Sequence, residues 1–496
     1  MDTRVKLGSA VIVLAILILD ITPVRAAAIE EVIVTARKRE ESLQDVPVAV
    51  QAFQQERIER YKLVTLNDIA EMANNVDISN GSFAGGGGTF SIRGLTGGGG
   101  GLDSSTSLNV DGVQVSRGWM THSAFMDLES VEILKGPQAL FYGKNSPAGV
   151  VTVRGARPTD EFEMKLQASH EPEAGETLLE VVLSGPLTET LRGRIAFRGE
   201  DMNSWFKNRA QFTENSNGEI YPLEPYDLPG GTSTPLKGRT YTTRVTLDWL
   251  PTDQFRATLR ALNTNKDTQG AVRTEVGDCG GDGETVFLSF NPFPDPYADC
   301  KLDGNISWGS FPVEIAEAWG HPDAKNGHEL GANWREYDSW VVSLNLDYDL
   351  EWATINSVTG WLWYHGRGLE NTFGLLFPTL SGYNPDEHEQ FTQEIRLTTQ
   401  LDSPVNYMFG VYYEDRDRRH ESHSKIVPFG LDPITGISND TGFVSDLNGN
   451  SWSVFGQVIW NINDQWELTA GARYQDEEVE GEQFAPYMHS FWLGLG

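Results

Sequence analysis

The side chains that could catalyse a reaction or bind a metal are few in this 496-residue chain, and they are widely spaced. Its two cysteines, Cys279 and Cys300, lie in a stretch rich in Gly, Pro and Asp, and its nine histidines are scattered. His321 and His328 lie near the cysteines, but neither their spacing nor a second cysteine pair favours zinc. A two-cysteine metal site is therefore the weaker interpretation, and a disulfide between Cys279 and Cys300 is the stronger one.

The glycine-rich segments invite comparison with a phosphate-binding loop, most of all at Gly143-Lys144-Asn145. The spacing from Gly136 and the lack of Ser or Thr after Lys144 argue against a P-loop. The chain also has no GxSxG or HExxH motif and no regular cluster of His and carboxylate residues. The sequence thus predicts a protein that is not an enzyme and that holds no cofactor or metal.

The first 28 residues have the features of a removable secretory signal. Arg4 and Lys6 form a basic start, Ala10 to Leu19 an apolar run, and Ala26 to Ala28 a small-residue cleavage site. Export carries the cysteines into an oxidising compartment, where a disulfide closing their loop contributes roughly 3 kcal/mol in the chain-entropy model. We expect intact-mass analysis with and without reductant to show this bond.

Charge and hydropathy narrow the class of protein. A formal net charge of −32 argues against nucleic acid as a partner, because binding phosphates requires a basic surface. An acidic surface suits divalent cations, and it equally suits a repulsive, salt-adapted exterior. After the signal, the apolar residues come in short pieces that exclude a transmembrane helix. A closed β-barrel is the remaining way to cross a bilayer.

Alternation of apolar and polar residues begins beyond Pro158. A soluble β-sandwich also alternates, but an apolar outer face, a polar inner face and aromatic strand ends are typical of a transmembrane barrel. The alternating segments are Leu191 to Arg198, Tyr241 to Trp249, Trp340 to Tyr348, Tyr407 to Tyr413, Trp452 to Trp460 and Trp466 to Tyr474.

The connections between these segments are of two lengths. Short turns on one side and long loops on the other are the pattern of an outer-membrane barrel. The predicted short turns are Leu187 to Thr190, Pro251 to Gln254, Glu351 and Asn463 to Gln465. The predicted long loops are Asn203 to Arg239, Asp267 to Asp338, Gly366 to Glu389 and Asp415 to Asn450.

The part from Asp45 to about Pro158 has the pattern of a small α/β domain. Val46 to Phe53 is predicted as a strand and Gln54 to Lys62 as a helix. Thr65 is predicted to cap a second short helix, with Asp68 in the first turn, where the helix dipole favours a carboxylate. This domain precedes the alternating strands.

Five motifs follow one another within this domain. They are Ile92-Arg93-Gly94, Val110-Asp111-Gly112-Val113, Val131 to Gln138 with Glu132, Lys135, Gly136 and Pro137, then Tyr142-Gly143 and Ala148-Gly149. One motif alone is weak evidence, but five in order with matching gaps resemble the plug domain of TonB-dependent outer-membrane receptors. The family usually has Arg where Lys135 stands and a second Gly where Ala148 stands. These two departures affect details of loop geometry and not the resemblance itself.

A β-prone run stands directly behind the signal, at residues 29–36. In that place it resembles the TonB box of the same family, formed here by Glu30, Glu31, Val32, Ile33, Val34, Thr35 and Ala36. The resemblance implies that TonB pairs with this segment by strand addition. An ordinary first strand of the following domain is the alternative.

The resemblance implies a plugged, antiparallel membrane β-barrel with a small α/β plug domain. The predicted domains are a signal peptide at 1–28, the TonB box at 29–36, the plug at 37–158 and a partial barrel at 159–496. Plugged transporters have about 22 strands, and about eleven are predicted here. The sequence is therefore expected to belong to a longer protein and not to close a barrel alone.

The function that the resemblance implies is TonB-dependent active transport of a scarce, large solute across the bacterial outer membrane. A ferric siderophore is the first expectation, with cobalamin and carbohydrate as alternatives. The expected partners are TonB of the inner-membrane energy-transducing complex, outer-membrane lipids and the small-molecule ligand, with no nucleic acid. The alternatives are a passive pore or adhesin barrel and a non-functional fragment of a receptor.

Three features are candidates for contact with the ligand or the barrel. Gly85 to Gly88 and Gly97 to Gly101 either shape a pocket at the plug apex or only connect elements. Arg93 is expected to meet carboxylates in the barrel lumen and so to lock the plug, with direct ligand contact as the alternative. The aromatic residues of the long loops either stack on a solute or on one another. They are Trp205, Phe206, Tyr221, Tyr226, Phe287, Phe290, Phe293, Tyr297, Trp308, Phe311, Trp319 and Trp334.

Overall fold

The structure is a computed structural model. It describes residues 33–35, 38, 41–44, 46–79, 89–96, 105–115, 125–173, 175–203, 207–208, 237–269, 303–306, 333–371, 380–426, 432–436 and 441–490. Cys279 and Cys300, both glycine clusters and all the loop aromatics except Trp334 lie outside these residues. The disulfide and the apex pocket therefore stay predictions.

The chain divides into two compact units, Met1–Pro47 and Val48–Gly496. The first unit contains two short antiparallel strands, β1 (Ile33–Val34) and β2 (Glu41–Ser42). The second unit contains a small α/β domain followed by one large antiparallel sheet. No helix among the described residues is long and apolar enough to cross a membrane.

The small domain is built on a five-stranded sheet with the order β3-β9-β10-β7-β8, in which only β10 and β7 are parallel. A second, three-stranded sheet of this domain has the order β4-β5-β6, and its strands follow the first two helices in the sequence. The elements are β3 (Ala49–Gln54), α1 (Gln55–Arg60), α2 (Leu66–Glu71), β4 (Val76–Ser79), β5 (Thr89–Ile92), β6 (Leu95–Thr96), β7 (Thr106–Val110), β8 (Val113–Val115), β9 (Leu128–Lys135), α3 (Ala139–Tyr142) and β10 (Gly149–Gly155).

Helix α2 begins where the sequence predicts. The Thr65 hydroxyl accepts a hydrogen bond from the Asp68 N–H at 3.2 Å, and the Asp68 carboxylate accepts one from the Thr65 N–H at 2.9 Å. This reciprocal capping box satisfies donors that the first helical turn leaves unpaired. Leu66 and Ile69 are then buried against the small sheet and its neighbours.

The large sheet follows sequence order along its length. Two of its strands, β20 and β21, both lie between β19 and β22 and together form one interrupted strand. A separate parallel pair is formed by β14 (Lys207–Asn208) and β17 (Asn305–Ile306). The strands of the sheet are β11 (Glu163–Glu171), β12 (Glu176–Pro186), β13 (Leu191–Met202), β15 (Lys237–Thr252), β16 (Phe255–Gln269), β18 (Trp334–Asp349), β19 (Ala353–Asn371), β20 (Leu380–Tyr383), β21 (Asp386–Thr399), β22 (Val405–Ile426), β23 (Thr441–Asn463) and β24 (Trp466–Met488).

The two faces of the large sheet differ as the alternation predicts. Strand β13 lies between β12 and β15. On this strand Ile195 and Phe197 are exposed, while the neighbouring Arg194 is buried. The inner face packs on the small domain, and one apolar cluster joins Val113 and Val131 of that domain to Leu362 of β19. Burial of apolar surface therefore holds the small domain to the inner face, while the outer face presents apolar and aromatic side chains.

The strands run further than the sequence predicts. The segment Gly366 to Glu389, predicted as a long loop, is occupied for much of its length by the ends of β19, β20 and β21. Strands β22 and β23 likewise extend into the predicted loop Asp415 to Asn450. Beyond the apolar band both faces carry polar residues, so the alternation of hydropathy ends although the strand continues.

Candidate functional site

The motif Val110-Asp111-Gly112-Val113 forms the tight hairpin between β7 and β8. Val110 and Val113 are paired, and the two residues between them have positive φ, 53° at Asp111 and 94° at Gly112. This is the conformation of a type I′ turn, for which Asp-Gly is a favoured sequence. The hairpin places the Asp111 side chain against the inner face of the large sheet.

Asp111 is a deeply buried acid of the contact between the small domain and the large sheet. Its carboxylate pairs with the Arg244 guanidinium of β15, with side-chain exposures of 3% and 1%. It also accepts a 2.7 Å hydrogen bond from the Gly155 N–H and lies 3.6 Å from Arg260. Burial opposes ionisation, but Arg244, Arg260 and the Gly155 N–H together lower the pKa of Asp111. The carboxylate is therefore held charged.

A second buried ion pair lies at the start of β9. The Asp127 carboxylate receives two hydrogen bonds from Arg194 of β13, at 2.7 Å from Nε and 2.5 Å from the second nitrogen. Both side chains are less than 5% exposed. Arg198, also on β13, donates to the Phe125 carbonyl at 3.0 Å. Bidentate geometry of this kind fixes orientation as well as distance.

Lys144 forms the third contact, at the loop after α3. Its ammonium lies 2.8 Å from the Glu414 carboxylate of β22 and 2.6 Å from the Glu477 carboxylate of β24. Arg416 binds the same Glu477 oxygen at 2.6 Å. The cation that superficially resembled a phosphate ligand therefore neutralises two carboxylates of the large sheet.

Arg93 does not meet a barrel carboxylate among the described residues. It lies with Gly94 in the tight turn between β5 and β6, has a φ of 54° and is exposed. It makes no ion pair within the part of the chain that the structure describes. Arg93 instead lies near the Lys135 ammonium, whose pKa is lowered by burial and by the charge of Arg93. Among the described residues, the plug is joined to the barrel by the buried ion pairs Asp111–Arg244 and Asp127–Arg194.

Lys135 ties the edge strand β3 to the rest of the small domain. Its ammonium donates to the Gln51 side-chain oxygen at 3.1 Å and to the Asn74 carbonyl at 2.6 Å. Gln51 in turn donates to the Met72 carbonyl at 3.0 Å. Lys135 is thus a structural residue of the small domain.

The remaining motif residues serve the packing and turns of the small domain. Gly149 has a φ of 155°, and a Cβ there would collide with the Leu134 carbonyl oxygen on β9. Tyr142 is buried, and burial raises its pKa to about 12. The other residues of this set are Ile92 and Glu132, which are buried in β5 and β9, Gly136 and Gly143, which have positive φ, and Pro137, which is exposed.

The predicted TonB box is described in part. Ile33 and Val34 form β1, and Thr35 follows, whereas Glu30, Glu31, Val32 and Ala36 lie outside the described residues. Sequence reasoning did not single out Asp127, Arg194 or Arg244. An arginine in an alternating strand carries no sequence signal for its partner, since that partner lies far away along the chain.

Two family models match the chain. The TonB-dependent Receptor Plug Domain matches residues 42–150, and the TonB dependent receptor-like beta-barrel matches residues 280–492. The chain belongs to the TonB-dependent receptor family. Its small domain is the plug, its large sheet is barrel wall, and its place is the bacterial outer membrane.

Known receptors are similar to this TonB-dependent receptor over much of the chain. The ferrioxamine B receptor of Salmonella typhimurium (strain LT2) is 23% identical over 390 residues, covering 75% of this chain and 47% of the relative. The pesticin receptor of Yersinia pestis is 21% identical over 407 residues, covering 79% and 47%. The chain thus spans about half the length of the curated relatives it matches.

Solved structures show the same fold. The ferric yersiniabactin uptake receptor from Yersinia pestis superposes with a TM-score of 0.63 at 16% identity, covering 88% of this chain and 61% of that one. The ferripyoverdine receptor of the outer membrane of Pseudomonas aeruginosa superposes with a TM-score of 0.61 at 15% identity, covering 92% of this chain and 55% of that one. The prediction of a plugged barrel with a small α/β plug is confirmed, and the family is one of receptors and transporters.

Proposed function

We propose that this receptor takes up a ferric siderophore across the outer membrane by TonB-dependent active transport. The observation that carries the proposal is a plug held to the barrel wall by buried ion pairs, above all Asp111 with Arg244. Such a plug closes a passive route, so transport requires energy to move it. The similar proteins named for ferrioxamine B, ferric yersiniabactin and ferripyoverdine support iron as the cargo.

The proposed sequence of events begins at the outer loops. Ligand binds there and at the plug apex, and the segment Glu30 to Ala36 then becomes available in the periplasm. TonB pairs with this segment by strand addition, in which backbone hydrogen bonds supply affinity and alternate side chains supply register. Force derived from the inner-membrane proton gradient displaces the plug, so this chain needs no nucleotide site of its own.

The test separates binding from transport. Cells that express the receptor with or without residues 30–36 are given ferrioxamine B, ferric yersiniabactin and ferripyoverdine, each carrying radioactive iron. We expect both strains to bind the same siderophore and only the intact receptor to take it up. The matched control is Glu189→Gln, at an exposed residue of the turn between β12 and β13 that is distant in sequence from the box.

Two results would contradict the proposal. Undiminished uptake after loss of residues 30–36 would show that TonB coupling is not used, as in a passive pore. Uptake of cobalamin or of an oligosaccharide, with none of the three siderophores bound, would overturn the substrate class while leaving the coupling in place.

A further inference from the structure

An apolar groove crosses the outer face of the large sheet close to its short turns. On β16, Leu259 is exposed while its neighbours Thr258 and Arg260 are buried, so the groove lies on the lipid side of the sheet and not in the lumen. It has a volume of about 390 Å³, within the range of about 300–1,000 Å³ that is usual for small-molecule sites. The aliphatic residues of the three strands β15, β16 and β18 that line it are Leu247, Ala257, Leu259 and Leu344.

A small residue among large ones creates the groove. Ala257 of β16 lies directly opposite Trp249 of β15, and Phe255 precedes it on the same face. The rings of Trp249 and Phe255 meet edge to face with centroids 6.0 Å apart, and Phe255 lies 6.4 Å from Tyr348 of β18. Aromatic residues at a strand end lie at the boundary between hydrocarbon and headgroups. The groove therefore begins at this boundary and extends toward the hydrocarbon.

The turn between β12 and β13 forms the polar end of the groove, where Thr188 and Thr190 line it. The Thr188 hydroxyl oxygen accepts hydrogen bonds from the Thr190 N–H at 3.3 Å and the Leu191 N–H at 3.0 Å. A hydroxyl that accepts still has its own proton to donate. The Leu250 N–H donates to the Thr190 carbonyl at 2.8 Å, which fixes the turn to the end of β15. This end of the groove thus offers a positioned donor to an oxygen-rich group.

The turns around the groove are acidic. Residues 187–190, 252–254 and 350–352 include carboxylates and contain no Lys or Arg. Asp253 is exposed on the turn that joins β15 to β16, the two strands on which Trp249 and Ala257 face each other. Carboxylates at the membrane surface repel anionic headgroups and attract an ammonium group. The polar end therefore complements a headgroup that carries both phosphate oxygens and an amine.

We propose that the groove binds one acyl chain of a phospholipid of the periplasmic leaflet whose headgroup is of the ethanolamine type. The acyl chain lies over Ala257, a phosphate or ester oxygen accepts from the Thr188 hydroxyl, and the ammonium group lies beside Asp253. The leaflet follows from the short turns, which face the periplasm in barrels of this kind. Neither the siderophore nor TonB takes part, so the outcome is independent of the proposed transport.

The first experiment fills the groove. The full chain in mild detergent is equilibrated with equal amounts of phosphatidylethanolamine and phosphatidylglycerol that have the same acyl chains, and retained lipids are identified by native mass spectrometry. We expect the natural chain to retain the ethanolamine lipid. In Ala257→Phe the added ring occupies the groove, and losing the burial of about two methylene groups corresponds to about tenfold weaker retention.

The matched control is Ala261→Phe. Ala261 lies on the same strand and the same face as Ala257, but outside the groove. This variant adds the same ring to the lipid-facing surface and should retain the lipid as the natural chain does.

The second experiment reverses the charge at the polar end. Asp253→Lys should shift the preference from phosphatidylethanolamine toward phosphatidylglycerol by about fivefold, since a lysine at a membrane surface favours anionic lipid by about that factor. The control Asp402→Lys makes the same change on the exposed turn between β21 and β22, away from the groove, and should leave the preference unchanged.

Three results would overturn the proposal. The first is equal retention of lipid by Ala257→Phe and Ala261→Phe, because the groove would then not be the site. The second is a natural chain that retains phosphatidylglycerol in preference, or detergent only. The third is loss of lipid from both ring variants together with an unchanged preference in Asp253→Lys.

Discussion

Three largely buried ion-pair contacts anchor the plug to the barrel wall, and two of them, at Asp111 and at Lys144, differ in how each charge is supported. At the first, Arg244 is 1% exposed and has the carboxylate of Asp111 as its plug partner. At the second, Lys144 is 13% exposed and meets two carboxylates. Those carboxylates are shared with Arg416, so the charges at this contact have other partners on the barrel.

This difference predicts how much each contact contributes to the stability of the plug. Removing one member of a buried pair leaves the other charge in a poorly solvated place, which costs more than the pair itself contributes. In a network the remaining charges still meet one another, so the loss is smaller. The Asp111 contact should therefore contribute most to the stability of the plug in the barrel, and the Lys144 contact should contribute less.

The largest expected effect is that of Asp111→Asn. Asparagine keeps the positive φ of the turn and an oxygen for the Gly155 N–H, but it leaves Arg244 without its plug carboxylate. We expect the plug to lose about 3–5 kcal/mol of stability. Pulse proteolysis of the full chain in urea, with plug cleavage identified by mass spectrometry, measures the loss.

A double variant tests the reason given for this effect. Asp111→Asn/Arg244→Met removes both charges of the pair, so it should be more stable than Asp111→Asn alone. Equal losses in the two variants would show that the loss of the Asp111 carboxylate beside the charge of Arg244 is not the cause.

Acid should reproduce part of this effect. Because the pKa of Asp111 is lower in the folded plug than in the unfolded chain, its contribution is fully present above the unfolded value of about 3.9. The contribution is lost as pH falls from there through the folded pKa. The stability difference between the natural plug and Asp111→Asn should be constant from pH 7 to about 5 and should shrink below about 4. A difference that shrinks near neutral pH would contradict this assignment.

The Lys144 contact should be the weaker of the two. In Lys144→Met, Glu414 keeps the Tyr412 hydroxyl at 2.9 Å and Arg416 at 3.5 Å, and Glu477 keeps Arg416 at 2.6 Å. We expect a loss of about 1–2 kcal/mol in the same proteolysis assay. A loss as large as that of Asp111→Asn would show that Arg416 does not compensate, and the comparison between the two contacts would fail.

The sequence predicts much of this fold because local chemistry and alternation carry it. Thr65 with Asp68 identifies the start of a helix, and Asp111-Gly112 stands where a turn is needed. The period of two identifies barrel strands from Leu191 to Tyr474. Their ends are predicted less well, because beyond the apolar band the hydropathy no longer alternates although the hydrogen-bonded ladder of β22 and β23 continues.

The anchoring residues are beyond such reasoning. Asp111 is visible as a motif residue, but Arg244, its partner, lies 133 positions away in a strand that carries many polar residues. Arg93 is as prominent in its motif as Asp111 and was expected to lock the plug, yet its turn leaves it exposed. Only the seating of the plug against the inner face decides which of two motif charges meets the barrel.

A further, more exposed ion pair between plug and barrel completes the comparison. Lys165 of β11 lies 3.4 Å from Glu59 of α1, and their side chains are 43% and 59% exposed. Both charges keep most of their hydration, and Lys165 also has Glu163 at 3.2 Å. Exposed pairs of this kind contribute little, so Glu59→Gln should change plug stability by less than about 0.5 kcal/mol.

Salt should remove even this small effect, since an exposed pair is screened. The proteolysis assay is therefore repeated for Glu59→Gln and Asp111→Asn at low and high ionic strength. At high salt we expect the plug of Glu59→Gln to be as stable as that of the natural chain. The loss of stability in Asp111→Asn should persist. If Glu59→Gln instead matched Lys144→Met in size, burial would not rank these contacts, and the explanation of why Asp111 dominates would have to be abandoned.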